Sequence, residues 1–467
     1  MQIPILNGIY SDEAADFRTA YPRNLVPVPK SQGISAGYLR PGDGIVAYGG
    51  VGPGVDRGGI NWNGRCYRVM GTKLVAIDPD GSLTTIGDVG GAYQVTMDYS
   101  FNYLGITSSE RFFLYDETTL TEVTDTDLGN PLDHIWVDGY FMLTDGEYLI
   151  VTELADSFNI LPTKYGSSEA DPDPIKALLK VRNEPYALNR YTIEVFDNVG
   201  GSGFPFARIE GAQVQRGTVG THTCCNFLET IAFVGSGRDE ALSVYLISGG
   251  NSISISTREI DQILNDYSEG IVAEVLVESR VDKAHQFLYI HLPDKTLVYD
   301  AAASQVVKEP VWFTLDSGLG SATQYKCRNL VRCYGKWLVG DPSSTNLGYL
   351  TDEVSTHWGQ VVDWEFNTAI IYNESQGAIF HELELVSLTG RVNLGADPTI
   401  YTRYSLDGES WSMPKSIKVG KVGNRKKRLV WLSQGSMRSW RIQQFHGNSN
   451  THISMSRLEA RVEPLAV

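Results

Sequence analysis

The sequence lacks the residue patterns that would mark a disulfide framework, a zinc site or a membrane span. Its five cysteines include no CxxC pair, and an odd count without such pairs predicts buried free thiols. No stretch approaches the roughly 18 consecutive apolar residues that a membrane helix needs. The first ten residues have neither a basic start nor a long apolar run, which predicts no secretory signal and folding in a cytoplasm.

The motifs of common enzyme classes are missing as well. There is no GxSxG, HExxH, GxxxxGK[ST] or protein-kinase set. The glycine-rich GGVGPGVDRGG (49–59) carries Pro53 and leads into no helix, so it predicts a loop rather than a phosphate cradle. His285 and His291 would share one face of a strand, but no third metal ligand is evident. We expect no catalytic residue, no cofactor and no metal.

Acidic residues are absent from one long segment. Residues 412–458 contain ten Lys or Arg and no Asp or Glu, whereas the whole chain has 39 basic and 55 acidic residues and a net charge of −16. An acidic body with one basic segment argues against general wrapping of nucleic acid. The segment can instead contact something acidic.

The basic run KVGNRKKR (421–428) is the strongest electrostatic feature. One interpretation is a solvated hairpin tip between two strands. The other is a surface that docks on an acidic partner subunit or on passing phosphate, through its five cations. Those candidate partner-binding residues are Lys421, Arg425, Lys426, Lys427 and Arg428.

What the chain does have is a repeat. Seven short apolar-aromatic runs each end in a turn, and their starts are about 36 to 53 residues apart. This period is typical of stacked four-stranded blades, because one small sheet cannot bury its apolar face alone. The pattern predicts an all-β protein with a β-propeller of six or seven blades. The runs are KLVAIDPDG, RFFLYDETT, EYLIVTEL, YTIEVFDN, SVYLISGG, TLVYDAAA and LGYLTDE.

Three segments follow from this pattern. Residues 1–50 contain several prolines, which favour extended backbone and remove ladder donors, so we expect an irregular extended arm that runs over a neighbouring surface. Residues 51–353 hold the repeats and form the propeller. Residues 354–467 have longer alternating strands, which predict a separate β-sandwich domain.

Two stretches interrupt the propeller repeats. GSSEADPDPIKALLKV (166–181) is interpreted as a loop followed by a single helical turn. STREIDQILNDYSEGIVAEVLVES (256–279) predicts the one clear helix, with Ser256 or Thr257 as its cap and apolar residues on one face. Those apolar residues are Ile260, Ile263 and Leu264.

One hairpin carries an enzyme-like signal. YSLDGESWS (404–412) is similar to the Asp-box of sialidase-like propellers through Ser405, Asp407 and Trp411. It is one residue short between Asp and Trp, occurs once, and lies outside the predicted propeller. A hairpin with an aromatic lid is one interpretation. The alternative is an adhesin whose propeller binds or cleaves glycans.

Several longer stretches resemble one known family in the right order. They are NLVPVPKSQGISAGYLRPGDGI (24–45), SFNILPTKYGSSEADPDPIKALLKV (157–181), YTIEVFDNVGGSGFPFARIEGAQVQRGTVG (191–220) and three runs within 255–319, namely ISTREIDQILNDYS, HQFLYIHLPDKTLVYDAAASQ and VWFTLDSGL. Together they resemble the packaged-DNA stabilisation protein, also described as the tail hub or nozzle protein, of lambdoid-type short-tailed bacteriophages (podoviruses). Gly42-Asp43-Gly44 departs slightly from that family's usual Pro-Gly-Ile ending.

The resemblance implies a structural virion protein of the phage tail, assembled in the host cytoplasm. It implies a homohexameric ring below the portal and its adaptor that extends the DNA channel and helps to retain packaged DNA. It also implies attachment of a tail needle or plug and of tailspikes or fibres. Double-stranded DNA would pass through the channel without specific recognition, and no membrane insertion is expected.

Overall fold

The computed structural model describes residues 1–11, 16–30, 35–154, 156–374, 376–392 and 394–465. Almost all regular structure in these ranges is antiparallel β-sheet. The N-terminal strands are β1 (Gln2–Ile3), β2 (Gly8–Ser11), β3 (Phe17–Ala20), β4 (Leu25–Pro29), β5 (Gly37–Pro41) and β6 (Gly44–Val51).

Seven sheets then follow one another along the chain as blades 1 to 7. Blade 1 contains β7 (Asp56–Trp62), β8 (Arg65–Met70), β9 (Lys73–Ile77) and β10 (Leu83–Asp88). Blade 2 contains β11 (Thr96–Tyr99), β12 (Leu104–Ser108), β13 (Arg111–Tyr115) and β14 (Leu120–Glu122). Blade 3 contains β15 (Asp133–Val137), β16 (Tyr140–Thr144), β17 (Tyr148–Val151) and β18 (Tyr165–Ser167). Blade 4 contains β19 (Ile175–Val181), β20 (Glu184–Asn189), β21 (Ile193–Asn198) and β22 (Phe206–Arg208). Blade 5 contains β23 (Gly217–Thr218), β24 (Cys224–Phe227), β25 (Thr230–Ser236), β26 (Ser243–Ser248) and β27 (Asn251–Ser254). Blade 6 contains β28 (Leu276–Asp282), β29 (His285–His291), β30 (Thr296–Asp300) and β31 (Trp312–Leu315). Blade 7 contains β32 (Arg328–Cys333), β33 (Lys336–Gly340) and β34 (Asn346–Thr351).

The inner strands of the blades close into a ring. Each of β7, β11, β15, β19, β24, β28 and β32 contacts the next, and β32 contacts β7. The N-terminal strand β6 pairs with β34 and supplies the outer strand of blade 7. The seven runs that the sequence pattern singled out form β9, β13, β17, β21, β26, β30 and β34, the third strand of every blade. The predicted propeller is confirmed, with seven blades.

The remaining strands form a two-layered sandwich. They are β35 (Asp363–Asn367), β36 (Ile371–Tyr372), β37 (Ala378–Leu388), β38 (Thr399–Ser405), β39 (Lys415–Lys418), β40 (Leu429–Leu432), β41 (Ser436–Met437), β42 (Trp440–Asn448) and β43 (Ser454–Pro464). One sheet has β42 beside β35 and β38, and the other has β43 beside β37. Phe366 and Phe445 from the first layer pack into one core with Phe380 and Leu458 from the second. The predicted β-sandwich is confirmed.

The described part of residues 1–50 is extended, as predicted, but the expectation of an irregular arm was wrong because this segment forms paired strands. Strands β1, β4 and β5 join the β43 sheet of the sandwich, and Ile3, Leu25 and Leu39 lie in the sandwich core. Pro27 and Pro29 are tolerated because β4 is the edge strand of this sheet, where a missing donor leaves no gap in the ladder. The N-terminal residues therefore belong to both domains.

Local structure differs from the prediction at one interruption and agrees at the other. Residues 175–181, predicted to end a loop in a helical turn, form the inner strand β19 of blade 4. The predicted helix is present as α1 (Arg258–Asn265) and a short α2 (Glu269–Ala273), with Thr257 as the cap of α1. A third helix, α3 (Ala301–Val307), was not predicted; the Asp300 carboxylate caps it by accepting from two backbone N–H groups.

All five cysteines are free, as the sequence predicted; four of them are buried, whereas Cys225 is only half-buried. Across the part of the chain that the structure describes, we find no helix with the length and apolarity needed to cross a membrane.

Candidate assembly surfaces

Carboxylates on the inner strands link neighbouring blades. Asp98 of blade 2 accepts a hydrogen bond of 2.7 Å from the Trp136 backbone N–H of blade 3. Asp133 of blade 3 accepts one of 2.7 Å from the Leu178 backbone N–H of blade 4. Burial raises the pKa of Asp133 to about 7. These contacts fix one blade against the next, so the propeller has little freedom to open at these blade boundaries.

A buried ion-pair network joins the N-terminal segment to blade 6. Arg280 donates to the Asp43 carboxylate at 2.7 Å, and Arg40 donates to the other oxygen of Asp43 at 2.7 Å. Burial alone would raise the pKa of Asp43, but the two guanidinium groups outweigh it and hold that pKa well below its usual value. Nearby, Arg23 pairs with the buried Asp316 after β31. The joint between the two domains is thus charged and tightly packed.

The turns between the first and second strands of the blades share one design. Their leading residue adopts a positive φ near 50° in six of the seven blades, as two-residue hairpin turns require. The turn of blade 1 reaches the last turn of blade 2, where Asn63 donates to Glu117 at 2.6 Å, so both kinds of turn lie on one face. The six residues are Asn63, Asp138, Arg182, Leu228, Lys283 and Tyr334.

Blade 2 departs from this design. Its turn is longer, and the Ser100 hydroxyl accepts hydrogen bonds from the backbone N–H groups of Asn102 and Tyr103. The turn holds Phe101 in solvent with 90% of its surface exposed. In blade 3, the loop after β17 exposes Leu154 and Phe158, and the Phe158 ring packs edge-on against Tyr103 at 5.6 Å.

Acidic side chains lie on the same face as these exposed apolar groups. Asp116 and Glu117 occupy the last turn of blade 2, and Asp156 lies in the blade 3 loop. Hydrogen bonds from Thr118 and Thr119 lower the pKa of Asp116, which keeps it ionised at neutral pH. No cation within the described ranges forms an ion pair with these three carboxylates. We call this set the acidic turn surface: Phe101, Asp116, Glu117, Leu154, Asp156 and Phe158.

The predicted basic residues lie between β39 and β40, which belong to different sheets of the sandwich. The run is therefore a connection between layers, and the hairpin-tip interpretation was wrong. Its backbone is anchored on the turn after β37: Gly423 N–H donates to the Gly390 carbonyl at 3.1 Å, and the Thr389 hydroxyl donates to the Asn424 carbonyl at 2.9 Å. The run is held in place, and its side chains project from a fixed base.

The five predicted cations do not behave alike. Arg428 donates to Glu384 at 2.7 Å and lies 3.6 Å from Glu382, so its charge is engaged within the sandwich. Lys421, Arg425 and Lys426 are exposed and Lys427 is half-buried. Across the described residues these four form no ion pair. We call residues 421–427 the basic loop, and beside it, in the segment after Gly390, Leu394 is 94% exposed.

The two strand histidines have separate partners. His285 contacts Asp300 at 2.6 Å, and His291 contacts Glu278 at 2.7 Å, from strands on opposite sides of β29. Within the ranges that the structure describes, no three potential ligands come together as a metal site would require. Each histidine is accounted for by a neighbouring carboxylate.

The Asp-box-like segment forms the loop between β38 and β39, and its carboxylate is used internally. Asp407 accepts from the Ser405 hydroxyl at 2.9 Å and from the backbone N–H groups of Glu409 and Ser410. The Ser410 hydroxyl also donates to this carboxylate, and together with the other hydrogen bonds it holds the pKa of Asp407 below its usual range. Trp411 lines a cleft of about 500 Å³ beside α1, with the Arg403 guanidinium 5.0 Å from its ring centroid.

Sequence reasoning missed the acidic turn surface. A signal was present, because SFNY at 100–103 lacks the Asn-Gly or Asp-Gly pair that two-residue hairpin turns favour. The spacing of the repeats could not show that this turn and the blade 3 loop share a face.

Comparison with known families covers nearly the whole chain. A family model described as bacteriophage P22 Gp10, beta-propeller, matches residues 1–355. A second, described as bacteriophage P22 Gp10, beta-sandwich, matches residues 363–463. The tail hub protein gp10 of Salmonella phage P22 is 28% identical over 460 residues, which is 94% of each chain.

Solved structures show weaker likeness. The N-terminal domain of Nup159 has a TM-score of 0.40 at 8% identity and covers 65% of this chain and 90% of its own. The Neurospora crassa Pan2 WD40 domain has a TM-score of 0.40 at 9% identity, and the match covers 66% of this chain and 93% of the Pan2 domain. PorZ of Porphyromonas gingivalis has a TM-score of 0.40 at 12% identity, and the match covers 80% of this chain and 46% of PorZ. Likeness at this level carries no argument about function.

Proposed function

Because this chain belongs to the bacteriophage P22 Gp10 family and is a structural component of a phage tail, we propose that it forms a homohexameric ring below the portal and its adaptor. In this position the ring extends the channel through which double-stranded DNA passes, and it helps to retain the packaged genome. We further propose that the ring anchors the tail needle or plug and the tailspikes or fibres.

The observation that carries this proposal is the fusion of propeller and sandwich by the N-terminal residues. The same fifty residues supply β1, β4 and β5 to the sandwich and β6 to blade 7. The buried pair of Arg280 and Asp43 lies between these strands. A subunit joined in this way moves as one stiff body, which suits a ring that must enclose packaged DNA.

Charge supports a passive channel. The chain carries a net charge of −16, and its surplus of carboxylates lies outside residues 412–458. Negative walls repel the phosphate backbone and let DNA slide without a sequence preference. The basic loop is then available for an acidic protein partner, and we propose Lys421, Arg425, Lys426 and Lys427 as its contact residues, with Arg428 retained within the sandwich.

The experiment is to measure the mass of the purified protein by native mass spectrometry, alone and with the adaptor of the same phage. We expect rings of six copies, formed alone or on the adaptor. A stable monomer under both conditions would contradict the proposal.

The alternative of a glycan-binding or glycan-cleaving adhesin has less support. Its motif residue Asp407 is saturated by hydrogen bonds within its own turn. Binding of oligosaccharide that depends on both Asp407 and Trp411 would be needed to revive it.

A further inference from the structure

We propose that the basic loop of one copy binds the acidic turn surface of a second copy, so that subunits join head to tail. This inference rests on the proposed ring and names the surfaces that build it. The occupant of each surface is the other surface of an identical chain.

The first support is charge. Lys421, Arg425 and Lys426 present cations that form no ion pair within the described part of their own chain, although Lys421 interacts at longer range with Asp397. On the propeller, Asp116 and Glu117 accept hydrogen bonds from neutral groups, but within the described residues neither carboxylate forms an ion pair. Opposite patches of this kind steer association and fix register when they meet.

The second support is apolar complementarity. Val422 of the basic loop is 49% exposed, and Leu394, four residues after the Gly390 that anchors the loop, is 94% exposed. On the other surface, Phe101 is 90% exposed and Leu154 is 59% exposed among the carboxylates. Protein interfaces combine an apolar centre with a charged rim, and each surface provides both. Exposed leucine and phenylalanine side chains would gain burial from this contact.

The third support is placement. The sandwich that carries the basic loop is tied to blades 6 and 7 through Arg280 and β6. The acidic turn surface lies on blades 2 and 3, on the far side of the closed ring of blades. Two different patches on one chain give a heterologous contact, and such contacts generate closed rings when the rotation between subunits closes.

A protein occupant is favoured over DNA. The basic loop contains no aromatic residue on which a base could stack, which argues against binding of single-stranded DNA. The flanking Leu394 and Val422 suit an apolar partner surface better than a hydrated phosphate backbone.

The test uses charge reversal in the full chain. The loop variant carries Lys421→Glu, Arg425→Glu, Lys426→Glu and Lys427→Glu; the surface variant carries Asp116→Lys, Glu117→Lys and Asp156→Lys. We expect the fraction of protein that forms rings, measured by native mass spectrometry, to fall about tenfold or more in each variant alone. An equimolar mixture should regain the ring with alternating subunits, because the reversed loop then meets the reversed surface.

The control variant removes two cations that already have partners, Lys418→Ala with Arg428→Ala. It should form rings like the unchanged chain. Retention of rings by either reversed variant would overturn the proposed contact while leaving the ring itself intact. Failure of the mixture to restore rings would also overturn it, since loss would then come from altered folding or another interface.

Two other results separate this inference from its alternatives. If the loop variant forms rings but loses binding to a duplex oligonucleotide, the loop is a DNA contact and the inference is wrong. If the unchanged chain forms no ring, alone or with the adaptor, the proposed function fails as well.

Discussion

Arg280 of blade 6 donates a 2.7 Å hydrogen bond to Asp43, which lies in the short link between the sandwich strand β5 and the propeller strand β6. Both side chains are almost fully buried. The pair therefore sits where the chain passes from one domain to the other, and it makes the relative position of the domains depend on one internal charge network.

Removal of the Asp43 carboxylate should loosen this joint. Asp43→Ala leaves Arg280 and Arg40 without their shared anion, and breaking a buried pair in this way costs about 3 kcal/mol. We expect the urea midpoint of unfolding, measured by tryptophan fluorescence, to fall. Asp88→Ala, which removes an exposed partner of Lys73, is the control and should change the midpoint little. Equal shifts in the two variants would contradict this account of the joint.

Asp133 should make stability depend on pH. Unfolded Asp133 ionises near its ordinary pKa of about 4, whereas burial raises its folded pKa to about 7. The wild-type protein should therefore lose stability as pH rises across this interval, with a slope of up to about 1.4 kcal/mol per pH unit.

The measurement is the difference in unfolding free energy between Asp133→Asn and the wild-type protein from pH 4 to 8. We expect the unfolding free energy of the variant, relative to that of the wild-type protein, to increase as the pH rises to about 7 and to stay constant above that pH. Neighbouring His134, whose pKa burial lowers to about 4, acts in the opposite direction but is present in both proteins. A flat difference profile would show that the buried carboxyl does not titrate in this range.

Gly49 should be required for closing the propeller. A Cβ at this position in β6 would lie 1.9 Å from the Gly81 carbonyl oxygen, and the backbone φ is +73°. Gly64 has a similar φ of +77° with open space around it. Gly64→Ala should cost about 1–2 kcal/mol through backbone strain alone. Gly49→Ala should lower the thermal midpoint much further, and equal effects would count against the close approach.

Asp407 should stabilise its own turn and do no more. Asp407→Ala removes the acceptor for the backbone N–H groups of Glu409 and Ser410. We expect faster hydrogen exchange at these two amides and unchanged exchange in the propeller. If exchange there stayed slow, the hydrogen bonds that the structure assigns to this carboxylate would be in doubt.

The repeats predicted the propeller because every third strand carries the same apolar run. Burial of both faces of this strand makes it the most regular signal in each blade, as in Phe112 to Tyr115 of β13. The blade count needed β6, which lies 295 residues before its partner β34 in the sequence. No local pattern reports a pairing at that separation, so the sequence left six or seven blades open.

The N-terminal residues show a second limit. Pro27 and Pro29 are as compatible with an edge strand as with an irregular arm, and only the pairing of Val28 with Tyr38 in β5 distinguishes the two. Likewise, the basic run was visible from composition alone. That Arg428 is engaged by Glu384 while Lys426 is not depends on sheet register, which the sequence does not specify.

Electron microscopy of the purified full chain bound to its adaptor tests the central claim most directly. The account predicts a closed hexameric ring in which each subunit keeps its propeller and sandwich in the same relative position. Subunits that remain monomeric on the adaptor, or whose sandwich and propeller vary in orientation from copy to copy, would contradict it.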